Sequence, residues 1–329
     1  MRAPEFWYRD SWPGALLAPL GWAWGAVVRR RLAAARPWKA PVPVVCVGNL
    51  VAGGAGKTPV VLDLAGRLAA RGLAVHLLSR GYGGTAEAGP LRVDPGRHGA
   101  AQVGDEPLLL ARRAPTWVGA DRAAAARAAV ADGAQVLVMD DGFQNPGLAK
   151  DLSILVVDGR RGFGNGRVMP AGPLREPLAG GLARAGALVV MGEDEWGEDE
   201  RGAAARAGAL PVLGARPVPG PEAADLRGRR VAAFAGIGDP GKFFRTLDAL
   251  GAERAVSRAF ADHHPYTVAD LARLAREAEA AGAVLVTTEK DAVRLPTTEP
   301  GLVTVLTITL QWDDEGAMDA LLQPLLAHV

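Results

Sequence analysis

The chain has 329 residues, 49% of them hydrophobic, and a formal net charge of +1. That length and apolar content exclude a disordered segment and allow one large domain or two of ordinary size. A near-neutral chain is a poor match for nucleic acid, whose binders neutralise many phosphates, and the single cysteine, Cys46, excludes an internal disulfide.

The first element in chain order is an uncharged run from Ser11 to Val28, followed by Arg29, Arg30 and Arg31. A signal peptide carries its positive residues ahead of the apolar run, so that reading fails. The run is at the lower limit for a bilayer span, and Pro13 and Pro19 interrupt it. Trp12, Trp22 and Trp24 favour the water–lipid boundary, while Leu16, Leu20, Trp24 and Val27 share one helical face. The expectation is a helix lying in or dipping into a membrane surface, its arginines near anionic headgroups. A true span, which would leave the bulk of the protein in the cytoplasm, and a helix packed on the protein's own core are the alternatives.

Beyond a short Pro-containing link, strands and helices alternate. Val42–Val47, Leu73–Leu78, Val136–Met139, Leu152–Val157 and Ala187–Met191 read as strands, with helices at Pro59–Ala70 and Arg122–Ala131 between them. Near-continuous apolar strands alternating with helices imply a parallel sheet covered on both faces. A weakly periodic stretch near residues 196–226 marks a boundary. A second series follows, with strands at Val231–Ala235, Val284–Thr287 and Leu302–Ile308 and helices at Lys242–Leu250, Val268–Ala281 and Glu315–Ala327. The organisation expected is an amino-terminal apolar helix and link over 1–40, an α/β domain over 41–225 and a smaller α/β domain over 226–329.

The stretch "PVVCVGNLVAGGAGKTPV" is a buried strand running into a glycine turn that ends in Gly56-Lys57-Thr58. Between a strand and a helix this is phosphate-loop chemistry: glycines let backbone N–H groups face phosphate oxygens, and the helix N-terminus adds its dipole. Lys57 would meet the β- and γ-phosphates, and Thr58 would offer its hydroxyl to Mg²⁺. The usual first glycine is replaced by Val51, so the loop is a variant carrying Gly53 and Gly54. Cys46, inside the strand, reads as a small buried hydrophobe.

A phosphate loop needs a second acid for its metal at the end of a neighbouring strand, and "QVLVMDDGFQN" supplies Asp140 and Asp141. "GDEPLLLAR" sets Asp105 and Glu106 ahead of Pro107, which alone is helix-start chemistry. "FADHHPYT" brings His263 and His264 beside Asp262. Paired histidines suggest a metal, but no third ligand stands at zinc spacing, whereas a histidine beside an acid suits a proton relay. In "GPLREP", Arg175 could steady γ-phosphate charge and Glu176 could join the metal shell, against the default of a solvated ion pair. "SRGYGG" sets Arg80 and Tyr82 where such sheets bind ligands. "TTEKDAVRL" yields only a helix start.

In this order, "VGNLVAGGAGKTP", "SRGYGG", "GDEPLLLAR", "VLVMDDGFQN", "RRGFGNGRVMPAGPLREP", "FAGIGDPGKFF", "FADHHPYT" and "TTEKDAVRL" resemble the tetraacyldisaccharide 4′-kinases of lipid A synthesis. The resemblance implies a P-loop NTPase-type parallel sheet with helices on both faces, a smaller carboxy-terminal domain and a membrane-associated helix. It implies transfer of the γ-phosphoryl of ATP to the 4′-hydroxyl of a tetraacylated disaccharide 1-phosphate, with Mg²⁺, at the cytoplasmic face of a bacterial inner membrane. Residue by residue, Val51, Ala52, Gly53, Gly54, Ala55, Gly56, Lys57 and Thr58 correspond to the ATP loop. Asp140, Asp141 and Glu176 resemble the acids around metal and γ-phosphate. Asp105 and His263 resemble the acid–histidine pair that activates the sugar hydroxyl, with Lys57 and Arg175 steadying charge. Arg80, Tyr82 and Gln144 are the candidate contacts to the lipid substrate, and no nucleic acid and no obligate protein partner is implied.

Two positions depart from the family pattern: Asn145 stands where a histidine usually follows Asp-Asp-Gly-Phe-Gln, and Ala55 where the loop is often polar. The rival reading is a membrane-associated switch ATPase of the partitioning type, whose loop is also glycine-paired. That class relies on a signature lysine where this chain has Ala52, and it lacks the Asp105 and His263 stretches. A nucleotide-binding structural subunit without catalysis is the third reading.

Overall fold

The computed structural model describes residues 4–9, 11–81, 84, 89–193, 210–296 and 301–326. After the helix Trp12–Ala33 the chain builds β1 (Val44–Gly48), the helix Lys57–Ala70, β2 (Val75–Ser79), β3 (Leu91–Arg92), the helix Asp105–Ala111, β4 (Thr116–Val118), the helix Arg122–Ala131, β5 (Val136–Asp140), β6 (Leu152–Asp158), β7 (Ala187–Met191) and β8 (Val212–Pro219). It continues through β9 (Arg230–Ala235), β10 (Glu253–Ala259), the helix Val268–Ala280, β11 (Val284–Thr288), the helix Glu289–Ala292, β12 (Val303–Leu306), β13 (Ile308–Trp312) and the helix Glu315–Leu326.

These strands form two sheets. The larger has the order β13-β8-β7-β6-β1-β5-β2-β4-β3, parallel except at its two edge strands, and the smaller is β10-β9-β11-β12, parallel throughout. Every residue of β1 is buried, because helices cover both faces. Its alternation divides the core: Val45 and Val47 pack with Val60, Leu64 and Leu68, whereas Val44 and Cys46 pack with Leu137, Met139 and Phe143. Burial pushes the Cys46 thiol up to about 12, so it stays an uncharged packing group.

The carboxy-terminal unit differs from the expected 226–329. The apolar run Leu302–Ile308 does not form one strand: β12 closes the small sheet, and β13 crosses back to pair antiparallel with β8. At the crossing Thr307 donates to Glu222 Oε2 at 2.7 Å and accepts from the backbone N–H of Gly220, so the outgoing and returning segments are pinned together. Met318, Leu322 and Leu325, spaced as one helical stripe, then join the core with Val60 and Leu64. Trp312 Nε1 donates to Asp63 at 3.0 Å, and Arg67 pairs with Glu315 and Asp319, tying the last helix to the helix that starts at Lys57. Periodicity could not reveal this return, since it depends on a partner some 250 residues upstream.

No helix among the described residues is long and apolar enough to cross a membrane. The helix Trp12–Ala33 buries only Gly14, Ala18, Gly21 and Gly25, and this small-residue stripe lies on the segment 165–177. A Cβ on Gly21 would stand 2.5 Å from the Val168 carbonyl oxygen, so glycine is what permits the close approach. The large apolar residues face outward, with Trp12 77%, Leu16 70% and Trp22 73% exposed.

Candidate active site

All the phosphate-handling candidates sit at the carboxyl ends of the central strands, the edge where open parallel sheets bind ligands. Leaving β1, Asn49 is buried and its side-chain amide reaches the Gly53 carbonyl at 3.3 Å. Gly53 and Gly56 have φ of 120° and 77°, backbone that favours glycine, and Gly56 caps the helix beginning at Lys57. A Cβ on Gly53 or Gly54 would meet nothing within 4 Å, so the turn is open at both glycines. Val51 and Ala52 face the other way: Val51 bridges Leu174, and the Ala52 N–H donates to the Pro173 carbonyl at 2.8 Å. They anchor the loop on the 165–177 segment. Ala55 is buried, which explains why an apolar residue fits there.

Two cations converge on one acid. Arg175 donates to both oxygens of Asp141, at 2.9 and 3.1 Å, and Lys57 Nζ stands 3.5 Å from Asp141 Oδ1. Asp141 adopts φ 51°, a left-handed conformation that turns its side chain out of the strand line. Its neighbour Asp140 is buried, and its Oδ1 has no hydrogen-bond partner among the described residues. Burial, then the charge of Glu106, raises the Asp140 carboxyl from 3.8 to about 7, against the pull of Lys57 and Arg122.

Glu176 and Gln144 form a structural brace. Gln144 Nε2 donates to both the Asn49 carbonyl and Glu176 Oε1 at 3.0 Å, and Arg184 pairs with Glu176 Oε2. Both Glu176 oxygens are thus engaged by the protein, as is the amide nitrogen of Gln144. Asn145 accepts from the Gly147 N–H at 3.0 Å, so this departure from the family pattern serves a local turn.

The acid–histidine pair is assembled. Asp105 opens its helix after Gly104, and His263 Nδ1 lies 2.7 Å from Asp105 Oδ2 although the two belong to different sheet units. Glu106, the neighbour of Asp105, is close enough to Asp140 for its charge to raise that carboxyl. His264 turns away to Asp270 at 3.3 Å, and among the described residues no three His, Cys, Asp or Glu side chains are grouped so as to hold a metal. Arg80 is exposed, and Tyr82 lies outside the described residues.

Sequence reading missed two arginines. Arg122, read only as a helix start, is 3% exposed and donates to the Gly119 carbonyl; burial and the charge of Arg80 lower it to about 10. Arg294, in the run that yielded only a helix start, stands 3.3 Å from Asp105. Neither offers a signal in sequence, because its burial and its partner appear only in the fold.

Residues 13–327 match the family described as tetraacyldisaccharide-1-P 4′-kinase. Among curated proteins the chain is 60% identical to a tetraacyldisaccharide 4′-kinase of Rhodospirillum centenum, covering 99% of this chain and 97% of that one. It is 56% identical to one of Paramagnetospirillum magneticum, covering 100% and 99%. Among solved structures it resembles LpxK from Aquifex aeolicus, described as an "apo" form in complex with ATP, with a TM-score of 0.76 and 27% identity over 95% of this chain and 99% of that one. With 97–99% of these relatives covered, the chain belongs to the tetraacyldisaccharide-1-P 4′-kinase family.

Proposed function

We propose that the protein transfers the γ-phosphoryl of ATP to the 4′-hydroxyl of a tetraacylated glucosamine disaccharide 1-phosphate, a step of lipid A synthesis. The observation that carries this reading is the 2.7 Å contact between His263 and Asp105 beside a phosphate loop. A hydrolytic switch has no use for a base aimed at a second substrate. The loop's Ala52, tied back to Pro173, also stands where the switch class needs a lysine.

In this reading the open turn Gly53–Gly56 holds the triphosphate through backbone N–H groups, and Lys57 and Arg175 face the charge that develops on the transferred group. Asp105 accepts the hydroxyl proton while the acceptor oxygen bonds to the γ-phosphorus. The bond from that phosphorus to the β–γ bridging oxygen breaks, and ADP leaves. His263 holds the Asp105 carboxylate in orientation. The donor set also suits Mg²⁺: the unpartnered Asp140 oxygen and the Thr58 hydroxyl would hold it, with Asp141 next to Asp140 and both Glu176 oxygens already engaged by Gln144 and Arg184. Bound there, Mg²⁺ would neutralise charge on the phosphate oxygens. Arg80 belongs to the face offered to the acceptor, with Gln144 as a brace.

The outward Trp and Leu residues of the helix Trp12–Ala33 suit docking at the cytoplasmic face of the inner membrane, where the acyl chains reside. We assign 1–40 to docking, 41–225 with the returning β13 and last helix to the nucleotide, and the intervening unit to supplying His263. Incubation with ATP, Mg²⁺ and a panel of acylated disaccharide 1-phosphates tests the reading. A mass gain of one phosphoryl group is expected, and ATP hydrolysis stimulated by vesicles with no transfer would favour the switch.

A further inference from the structure

One guanidinium touches the acid of the acid–histidine pair and the backbone on either side of its histidine loop. The Arg294 side chain is 3% exposed, and its Nε stands 3.3 Å from Asp105 Oδ2, the oxygen that also meets His263. Its Nη2 donates to the Gly236 carbonyl at 3.0 Å, and its Nη1 reaches the His264 carbonyl at 3.3 Å. The same Gly236 carbonyl accepts from the His263 N–H at 3.0 Å. His263 holds φ 59°, a left-handed conformation uncommon outside glycine. The shared Gly236 carbonyl ties this turn to the guanidinium.

The guanidinium is itself fixed. Asp291, fully buried, accepts from Arg294 Nη2 at 2.7 Å, the Gly236 N–H at 2.8 Å, Tyr266 Oη at 2.8 Å and Thr288 Oγ1 at 2.6 Å. With Asp291 behind it, the planar fork of Arg294 has one orientation, which no flexible ammonium would reproduce. We propose that Arg294 is the positioning residue of the transfer site: it turns Asp105 so that Oδ2 is held by His263 and Arg294 while Oδ1 takes the proton, and it locks the His263 loop in register. This rests on the reading of Asp105 as the base.

The test compares Arg294→Met, Arg294→Lys, His263→Ala and the double variant His263→Ala/Arg294→Met, alongside wild type and Asp105→Ala. Arg294→Met should lower kcat about 100-fold, the loss typical of a reacting group displaced by about 1 Å, with the KM for ATP within about twofold. Arg294→Lys should recover part of it. Because both residues act through Asp105, the double variant should be scarcely slower than the worse single one. Asp291→Asn/Arg294→Met, which removes the buried charge left without its counter-ion, serves if Arg294→Met does not fold. A kcat within about threefold of wild type, or losses that multiply in the double variant, would overturn the proposal. If Asp105→Ala is inactive while Arg294→Met is not, only this inference fails; an active Asp105→Ala removes the base reading itself.

Discussion

His263 Nδ1 and Asp105 Oδ2 are 2.7 Å apart across 158 positions of sequence and two separate sheets. The side chains are 73% and 11% exposed respectively, so the carboxylate lies on the inner side and the imidazole on the outer. An acid enclosed beside the phosphate loop and steadied from outside has the arrangement of a general base with its orienting partner. The two units meet through this pair in the structure described.

Asp105→Ala should therefore lower kcat by about 10²–10⁴, the usual worth of a positioned base, and leave ATP affinity nearly unchanged. His263→Ala should cost less, because the carboxylate remains. Steady-state transfer assays beside equilibrium ATP binding separate the two effects. Near-normal turnover in Asp105→Ala removes Asp105 from the base role.

The buried Asp140 makes the ligand-free protein sensitive to pH. Its carboxyl is raised from 3.8 to about 7, chiefly by burial. Between those values the folded chain keeps a proton that the unfolded chain releases, so stability is fully present below pH 4 and falls as pH rises through 7. Asp140→Asn cannot ionise and avoids that loss. Without nucleotide or metal it should melt higher than wild type at pH 8, by a few degrees, and alike near pH 4, while losing transfer activity. Affinity for Mg²⁺-ATP in wild type should rise between pH 6 and 8 as the carboxylate forms. Thermal melts across pH decide the matter, and a wild type that melts higher than Asp140→Asn at pH 8 contradicts the burial argument.

What the sequence made legible was the chemistry carried by local pattern. The strand-turn-helix around Gly56-Lys57-Thr58 and the acids after β5 follow from hydrophobic runs and turn residues a few positions apart. Contacts at long separation were not legible. Nothing near Arg294 points to Asp105, and nothing in the run 302–312 says that its second half belongs to another sheet. Glu176 shows the same limit in reverse: its residue type suggests a metal ligand, yet only the fold reveals Gln144 and Arg184 on its oxygens.

The last prediction concerns the helix Trp12–Ala33, whose two faces make separable demands. Its glycine stripe fits the segment 165–177, and that segment also carries the backbone bonds to Leu50 and Ala52 of the phosphate loop. Its outward face offers Trp12, Leu16, Leu20 and Trp22 to whatever lies beyond. Each large apolar side chain is worth about 1.5–3 kcal/mol when fully removed from water, and a membrane boundary supplies part of that. Replacing Trp12, Leu16 and Trp22 together by Ser should lower association with anionic vesicles at least tenfold and leave ATP binding intact, because these residues touch nothing in the nucleotide site. Gly21→Leu should instead disturb the seat on Val168, lowering thermal stability and ATP affinity with it. Removal of residues 1–35 should release the protein from vesicles altogether. If the truncated chain still sediments with them, a different surface does the docking, and the outward tryptophans need another explanation.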